Sequence, residues 1–545
     1  MERHHHRLEG LTTRGSALRL SAVPALFLAI FFLWPVFNML ARGLGDNPAA
    51  VTDVLTNSSI RSAAWFTLWQ ATVSTIATVI VGLPLAAVVA NFEFPGRRLV
   101  TALVTLPFVL PTVVVAGAFL TTADRLGLES GTFSLSRTPF AIITAHVFFN
   151  VAVVVRTVGG FWSQLSRDDE HAARTLGTTW GQTFWRITLR RLRPAVLAAS
   201  SIVFLFTFTS FGIVLILGGA RERTIETEIF RFAISRTDFA TAAVLSILQL
   251  LVVVLLVLAN LRLRTQLRRG DRLSVDRRRP IGSFPDAVII GVTVLLTLLF
   301  LMTPIVLLVI ESLRSGGGFG FGNYRRLTER PPFLTVSPLR AVANSLGFAL
   351  VATTIATVVG GWASIAVVYG KGALRQLLDL AYLLPLGTSA VTLGFGILIT
   401  FDSGIVDLRQ SWIIIPLAQS LIAIPFVTRA VVPVLRAIDP QLREAAATMG
   451  TSPARIWRTI DLPIARRALL IGAGFGFAIS LGEFGATSFV GRRPDLMTLP
   501  LAIERLLGQP GDTIRGQAMA LSVILLVITG GLLLAIDRFD RAEVL

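Results

Sequence analysis

Apolar residues gather in long runs separated by short polar stretches. The runs fall near 18–40, 62–90, 98–121, 140–160, 195–218 and 238–261. A second set falls near 285–311, 342–369, 374–400, 411–436, 467–490 and 516–536. Crossing a hydrocarbon core as a helix takes about 20 residues, which these runs supply. The alternating pattern of barrel strands does not run through them, and Gly and Pro occur inside them, as membrane helices tolerate. The pattern predicts an all-α polytopic membrane protein with about 12 transmembrane helices.

Polar punctuation orients the runs. Arg3, Arg7, Arg14 and Arg19 precede the first run, and Arg97 and Arg98 sit in the turn between the second and third. Arg167, Arg174, Arg186, Arg190, Arg191 and Arg193 follow the fourth. Eight more arginines, from Arg262 to Arg279, follow the sixth. If the helices alternate, all of these lie on one side, and the positive-inside rule makes that side cytoplasmic, with both termini inside. Arg221, Arg223 and Arg231 fall on the other side, accompanied by Glu222, Glu226 and Glu228. The Arg-rich stretch 262–284 reads as a solvated linker. The chain then divides into a cytoplasmic tail (1–17), a first permease-like bundle (18–261), the linker, and a second bundle (285–545).

The two sets of runs repeat each other. "STIATVIVG" from Ser74 recurs as "TTIATVVGG" from Thr353. Leu106–Pro107 recurs as Leu384–Pro385, "HAARTLGTT" from His171 as "EAAATMGTS" from Glu444, and "TSFG" from Thr209 as "LGEFG" from Leu481. Four ordered matches at spacings of about 273–279 residues imply duplication. An even number of spans per half makes the copies parallel, related by a pseudo-twofold axis along the membrane normal, with a pathway between them.

Composition agrees and removes alternatives. The chain is 53% hydrophobic and only 15% charged, against about 25% charged in soluble domains. The net charge of +18 would suggest nucleic acid in a soluble protein, but the arginines cluster at the ends of apolar runs without interleaved stacking aromatics. Cysteine is absent, which excludes disulfides, thiol catalysis and cysteine-ligated metals. The first run lacks a cleavage site after it and is expected to be a retained helix. His4, His5 and His6 read as part of a solvated tail.

The loop after the fourth run of each half carries the informative pattern. In the second half it reads Glu444, Ala445, Ala446, Gly450, Ile460, Leu462, Pro463; in the first, His171, Ala172, Ala173, Gly177, Ile187, Leu189, Arg190, with Glu170 one position before His171. Consecutive alanines form helix with little bulk, so another surface can approach closely. A glycine then ends the helix. Ser452 before Pro453, and Thr179 in the first half, can cap a short second helix. Trp457, Trp185 and Phe184 supply apolar contact. The expected build is helix, glycine turn, short surface helix, return to the membrane. A partnerless interfacial helix would show similar amphipathy, but not this spacing twice at equivalent places.

The spacing resembles the EAA signature of bacterial ABC importer permeases. The second half fits at every signature position; the first departs from it at His171 and Arg190. The resemblance extends over nearly the whole chain and implies the type I importer fold in a cytoplasmic inner membrane. It also implies two separate ABC ATPase subunits docked on the loops, with ATP and Mg bound there, and an extracytoplasmic substrate-binding protein. This chain carries no "GxxxxGK[ST]", and Lys371 in "YGKGALR" is not that motif; it is expected to bind no cofactor and to be no enzyme.

Glu483 in "SLGEFGATSF" is read as lying well inside the eleventh run, with Ser210 as its counterpart. A carboxylate at membrane depth should face the bundle interior or water. Two readings stand: Ser210, Gly212, Gly482, Glu483 and Gly485 line the pathway, or Glu483 is a structural hydrogen-bonding group. Pro107, Pro111 and Pro385 can kink helices. His146 and Asn150 share a helix face and favour interhelical hydrogen bonding over a metal site. The stretch with Leu217, Gly218, Gly219, Thr224, Ile225 and Glu226, and "TLPLAIERLLGQ" in the second half, resemble two-domain thiamine permeases. Ferric-iron permeases are similar in fusing two halves in one chain, and sulfate and molybdate permeases share a Gly-Glu-Phe-Gly stretch. The resemblance favours thiamine or a related cation, then ferric iron. An ion-coupled secondary transporter would explain twelve spans and a duplication but not two such loops.

Overall fold

The computed structural model describes residues 22–46, 49–166, 168–267, 278–369, 379, 381–382, 384–385, 387–402, 407–408, 410–491 and 493–541. Among these, ten helices are long and apolar enough to cross a membrane, or eleven when the bent pair Arg97–Val109 and Thr112–Arg125 is one span. Of the expected run 374–400, residues 374–378, 380, 383 and 386 lie outside the described residues, which include Ala390–Thr400 as a helix. Most of 262–279 and Lys371 also lie outside them. The only strands described are two-residue pairs, so the fold is all-α.

Three runs that hydropathy presents as continuous are broken. The third bends by 103° between Val109 and Thr112, where Pro111 holds an extended backbone. Pro107 stays inside its helix. The fifth stops at Phe208 and resumes as Gly212–Leu217. The eleventh stops at Gly482 and resumes as Thr487–Val490. The few polar residues at the breaks, Thr209, Ser210 and Glu483, are flanked by apolar sequence, so averaged hydropathy does not mark them.

Within each half the helices pack in the same way. Ser58–Asn91 lies on Pro139–Trp162, and Pro338–Tyr369 on Ile414–Ala437. Gly82 meets Val154 in the first pair and Gly360 meets Val427 in the second; an added Cβ would sit 2.9 and 3.0 Å from the valine. Missing side chains thus set the closeness of both crossings. Outward faces stay apolar: Leu295, Leu296 and Leu299 are at least 60% exposed, a surface suited to lipid rather than water.

The linker is anchored at its far end rather than free. Arg279–Pro280 pairs in parallel with Phe92–Glu93 of the first half. The Arg279 guanidinium lies 4.4 Å from the Phe92 ring centre, and Arg278 lies 3.8 Å from Glu93. Ser283 then caps the helix Phe284–Ser312 by accepting the Asp286 N–H.

Candidate functional site: two docking loops and a broken-helix centre

Both loops have the same build. Asp168–Thr175 in the first half and Pro440–Thr448 in the second form the leading helix. Asp439 caps the latter through the Gln441 N–H. Gly177 and Gly450 follow with φ of +88° and +80°, the left-handed conformation that favours glycine. The next short helix is Trp180–Thr183 in one half and Pro453–Ile456 in the other. Thr179 and Gln182 make a full capping box in the first. Instead of lying apart on the surface, each short helix runs on through a π-helical turn, Phe184–Thr188 or Trp457–Asp461, into the fifth span of its half. Leu462 and Pro463 are therefore the first residues of that span.

His171, Ala172, Glu444 and Ala445 are exposed, whereas Ala446 is buried and Ala173 is half-buried against the body of the loop. Glu170 does not stand in for Glu444. In the repeat frame it is the counterpart of Arg443, and its carboxylate turns back to accept the Thr188 hydroxyl. The residue before each turn glycine is apolar and bare: Leu176 is 86% exposed and Met449 79%. Trp180 and Trp185 add 72% and 70% exposure on the first loop only. The sequence reading missed Leu176 and Met449, although the repeat itself marks two apolar residues at one frame position.

The breaks in the fifth and eleventh runs bring Ser210, Gly212, Gly482, Glu483 and Gly485 to one centre. Glu483 caps Gly482 rather than sitting inside the span. Its two oxygens accept the backbone N–H groups of Ala486 (2.6 Å) and Thr487 (3.0 Å), so it satisfies the start of the short helix that follows. Ser210 cannot reach so far. It instead meets His146 Nε2 at 2.8 Å, while His146 Nδ1 meets Ser74 at 3.1 Å. Asn150 donates to the His146 carbonyl. The interhelical bonding that the sequence suggested for this pair is made by His146, whereas the Asn150 bond stays within its own helix.

Between Ser210 and Gly212 lies Phe211, and between Glu483 and Gly485 lies Phe484. The two rings stack with centres 5.4 Å apart and planes 21° apart. Equivalent residues that touch one another lie at the pseudo-twofold axis, as in any self-complementary contact. The flanking glycines make the approach possible. A Cβ on Gly212 would fall 2.5 Å from the Thr112 hydroxyl, and one on Gly485 2.9 Å from Ala390. A Cβ on Gly482 would fall 2.7 Å from Pro111, so the break in the third run serves the same centre. Phe230 and Phe489 extend the aromatic cluster. A further bond crosses between the halves nearby: Ser389 donates to Glu226, which also takes the Gln249 amide.

Opposite the two loops the surface opens into a 790 Å³ cavity lined by Asp124, Arg125, Glu311, Arg314 and Arg515. Beside it a 450 Å³ cavity holds Glu129, Leu215 and Glu504. Burial raises the Glu504 carboxyl above its ordinary value, and Arg505 opposes this. Among the described residues no group of three or more His, Asp or Glu is placed to hold a metal.

Residues 82–266 and 356–541 each match the family described as binding-protein-dependent transport system inner membrane component. A thiamine transport system permease protein of Salmonella typhimurium is 24% identical over 508 residues, 90% of either chain. Its counterpart in Brucella abortus is 27% identical over 492 residues, 87% of either chain. A sulfate transport system permease protein of Salmonella typhimurium is 33% identical over 200 residues, which covers 36% of this chain and 72% of that one. Two family domains, equivalent in build from the glycine-turn loop to the broken helix, fill most of the molecule, and the chain belongs to the binding-protein-dependent inner-membrane components of ABC importers as a fused, two-domain permease.

Proposed function

We propose that this chain moves thiamine or a related organic cation into the cytoplasm, delivered by an external binding protein and driven by two separate ATPase subunits. Substrate enters from the face carrying the two cavities and leaves on the Arg-rich face, where both termini lie. The ATPases bind ATP and Mg and dock on the loops Asp168–Thr188 and Pro440–Asp461. Alternating access follows when closure of the ATPase pair moves both loops together. The shift can be no larger than the difference in ATP binding between the two states.

The observation that carries this reading is the duplicated loop with a bare apolar residue at each tip. Leu176 and Met449 sit between a leading helix and a left-handed glycine, and the short helix after each glycine continues into a membrane span. Among the described residues nothing covers them, and a partner's cleft would. The substrate class rests on the full-length similarity to thiamine permease proteins.

Burying one such side chain contributes about 1.5–3 kcal/mol. Leu176→Asp or Met449→Asp should therefore weaken ATPase binding about 10-fold or more, and the double variant should lose ATP-driven uptake in proteoliposomes. Normal ATPase binding in the double variant would overturn the docking reading. Uptake by the chain alone down an ion gradient would overturn the importer reading. Thermal-shift titration of the binding protein with thiamine, ferric iron and sulfate tests the substrate; stabilisation by iron or sulfate and not by thiamine would replace it.

A further inference from the structure

Each leading helix is fastened to its bundle by a side-chain pair at one frame position, and the two halves use different chemistry. In the second half Asp461 closes the π-helical turn and is 2% exposed. It accepts Arg443 Nε at 2.9 Å and the Tyr369 hydroxyl. Arg443 also donates to the Leu435 carbonyl at 3.2 Å and lies 5.2 Å from the Tyr369 ring centre. One arginine on the leading helix thus binds to the ends of three membrane helices: Pro338–Tyr369, Ile414–Ala437 and the span that Asp461 begins.

The first half places Glu170 where the second has Arg443, and Thr188 where it has Asp461. The Thr188 hydroxyl donates to Glu170 Oε1 at 2.5 Å. The partners are 18 residues apart in both halves. Arg191 reinforces this loop from outside, with bonds to the Ser166 carbonyl (2.8 Å) and Asp169 (3.1 Å). The π-helical turn recurs at the same place in both loops. It widens the helix where Thr188 and Asp461 must turn toward the leading helix, a common use of such turns at functional positions.

We infer that Arg443, Asp461 and Tyr369, and in the first half Glu170 and Thr188, are positioning residues that make each leading helix move as one body with its membrane bundle. This rests on the docking reading. A helix joined to the bundle only through a glycine turn would absorb the movement of a docked ATPase. A buried charge pair with a third hydrogen bond holds its geometry, because separating the partners strands a charge away from water. The second loop therefore transmits movement through an ionic latch, and the first through one short hydrogen bond and a peripheral ion pair.

The test measures ATP hydrolysed per substrate transported by the full complex in proteoliposomes, alongside the amount of ATPase that co-purifies. Asp461→Asn and the milder Tyr369→Phe should raise that ratio about 5-fold or more, the lower end of usual coupling energies, with ATPase still bound. The paired exchange R443E with D461T installs the first-half chemistry in the second loop and should return the ratio to near that of the unaltered protein. A purely architectural role would lower the yield of complex and leave the ratio of assembled complexes unchanged. An unchanged ratio in assembled Asp461→Asn and Tyr369→Phe complexes would overturn the inference. So would a paired exchange no better than Asp461→Thr alone. If the unaltered complex hydrolyses no ATP, the docking reading fails instead.

Discussion

At the residue scale, one frame position has been used in two ways. Glu483 reaches the backbone of the next turn, while Ser210 stops at His146. A carboxylate that accepts two N–H groups at a helix start loses one good acceptor when it becomes an amide. Glu483→Gln should then cost about 1–3 kcal/mol, the range for a buried donor left unsatisfied. Ser210→Ala leaves His146 with Ser74 and should cost about 1 kcal/mol. The check is the thermal unfolding midpoint of the purified chain, with substrate selectivity measured beside it. A selectivity change in Glu483→Gln with an unmoved midpoint would contradict the capping role and restore a lining role. The sequence made this residue visible, because a lone carboxylate in an apolar run stands out. It could not show the partners, which are backbone groups freed by a helix break that hydropathy does not mark.

Among the elements, the glycine turns of the loops were legible, and of the three breaks only the one at Pro111 had a signal, its proline. The glycine turns followed from spacing, and Gly177 and Gly450 adopt the left-handed backbone that the reading required. The continuity of each short helix with a span was missed, because "FWRIT" and "WRTID" look like amphipathic surface sequence while folding as π-helical turns. The arginines of the linker predict a solvated stretch, yet Arg279 packs on Phe92, a contact with no local signature. Glycines in these two kinds of element should respond differently to a methyl group. Gly450 has open space around it but φ of +80°, so Gly450→Ala adds about 1–2 kcal/mol of backbone strain in the loop alone. Gly394 lies against the broken helix, where a Cβ would fall 2.6 Å from the Ala486 Cα; overpacking there costs about 1–3 kcal/mol or more. Gly450→Ala should weaken ATPase co-purification and leave the unfolding midpoint of the chain in place, whereas Gly394→Ala should lower the midpoint. The opposite pattern would mean that the loop is part of the bundle's stability and the broken helix is not.

For the whole molecule, the decisive contact is the one that the duplication creates with itself. Phe211 and Phe484 meet face to face where the two halves join, held close by Gly212 and Gly485 and backed by Pro111. A stacked pair contributes about 0.5–1.5 kcal/mol beyond its burial. If this pair closes the passage, a contact of that size is small enough for differences in ATP binding between two states to separate. The Ser389–Glu226 bond across the halves is of the same modest kind. If the centre is the gate, preventing the rings from parting should stop transport without stopping assembly. The natural absence of cysteine makes this directly testable: Phe211→Cys with Phe484→Cys can be joined by a short, reducible bifunctional thiol reagent without background. Joined complexes should lose substrate uptake and regain it on reduction, while either single variant treated alike should keep it. Full uptake through the joined form would place the passage elsewhere, and the stack would then be an ordinary interface between two bundles that move as one.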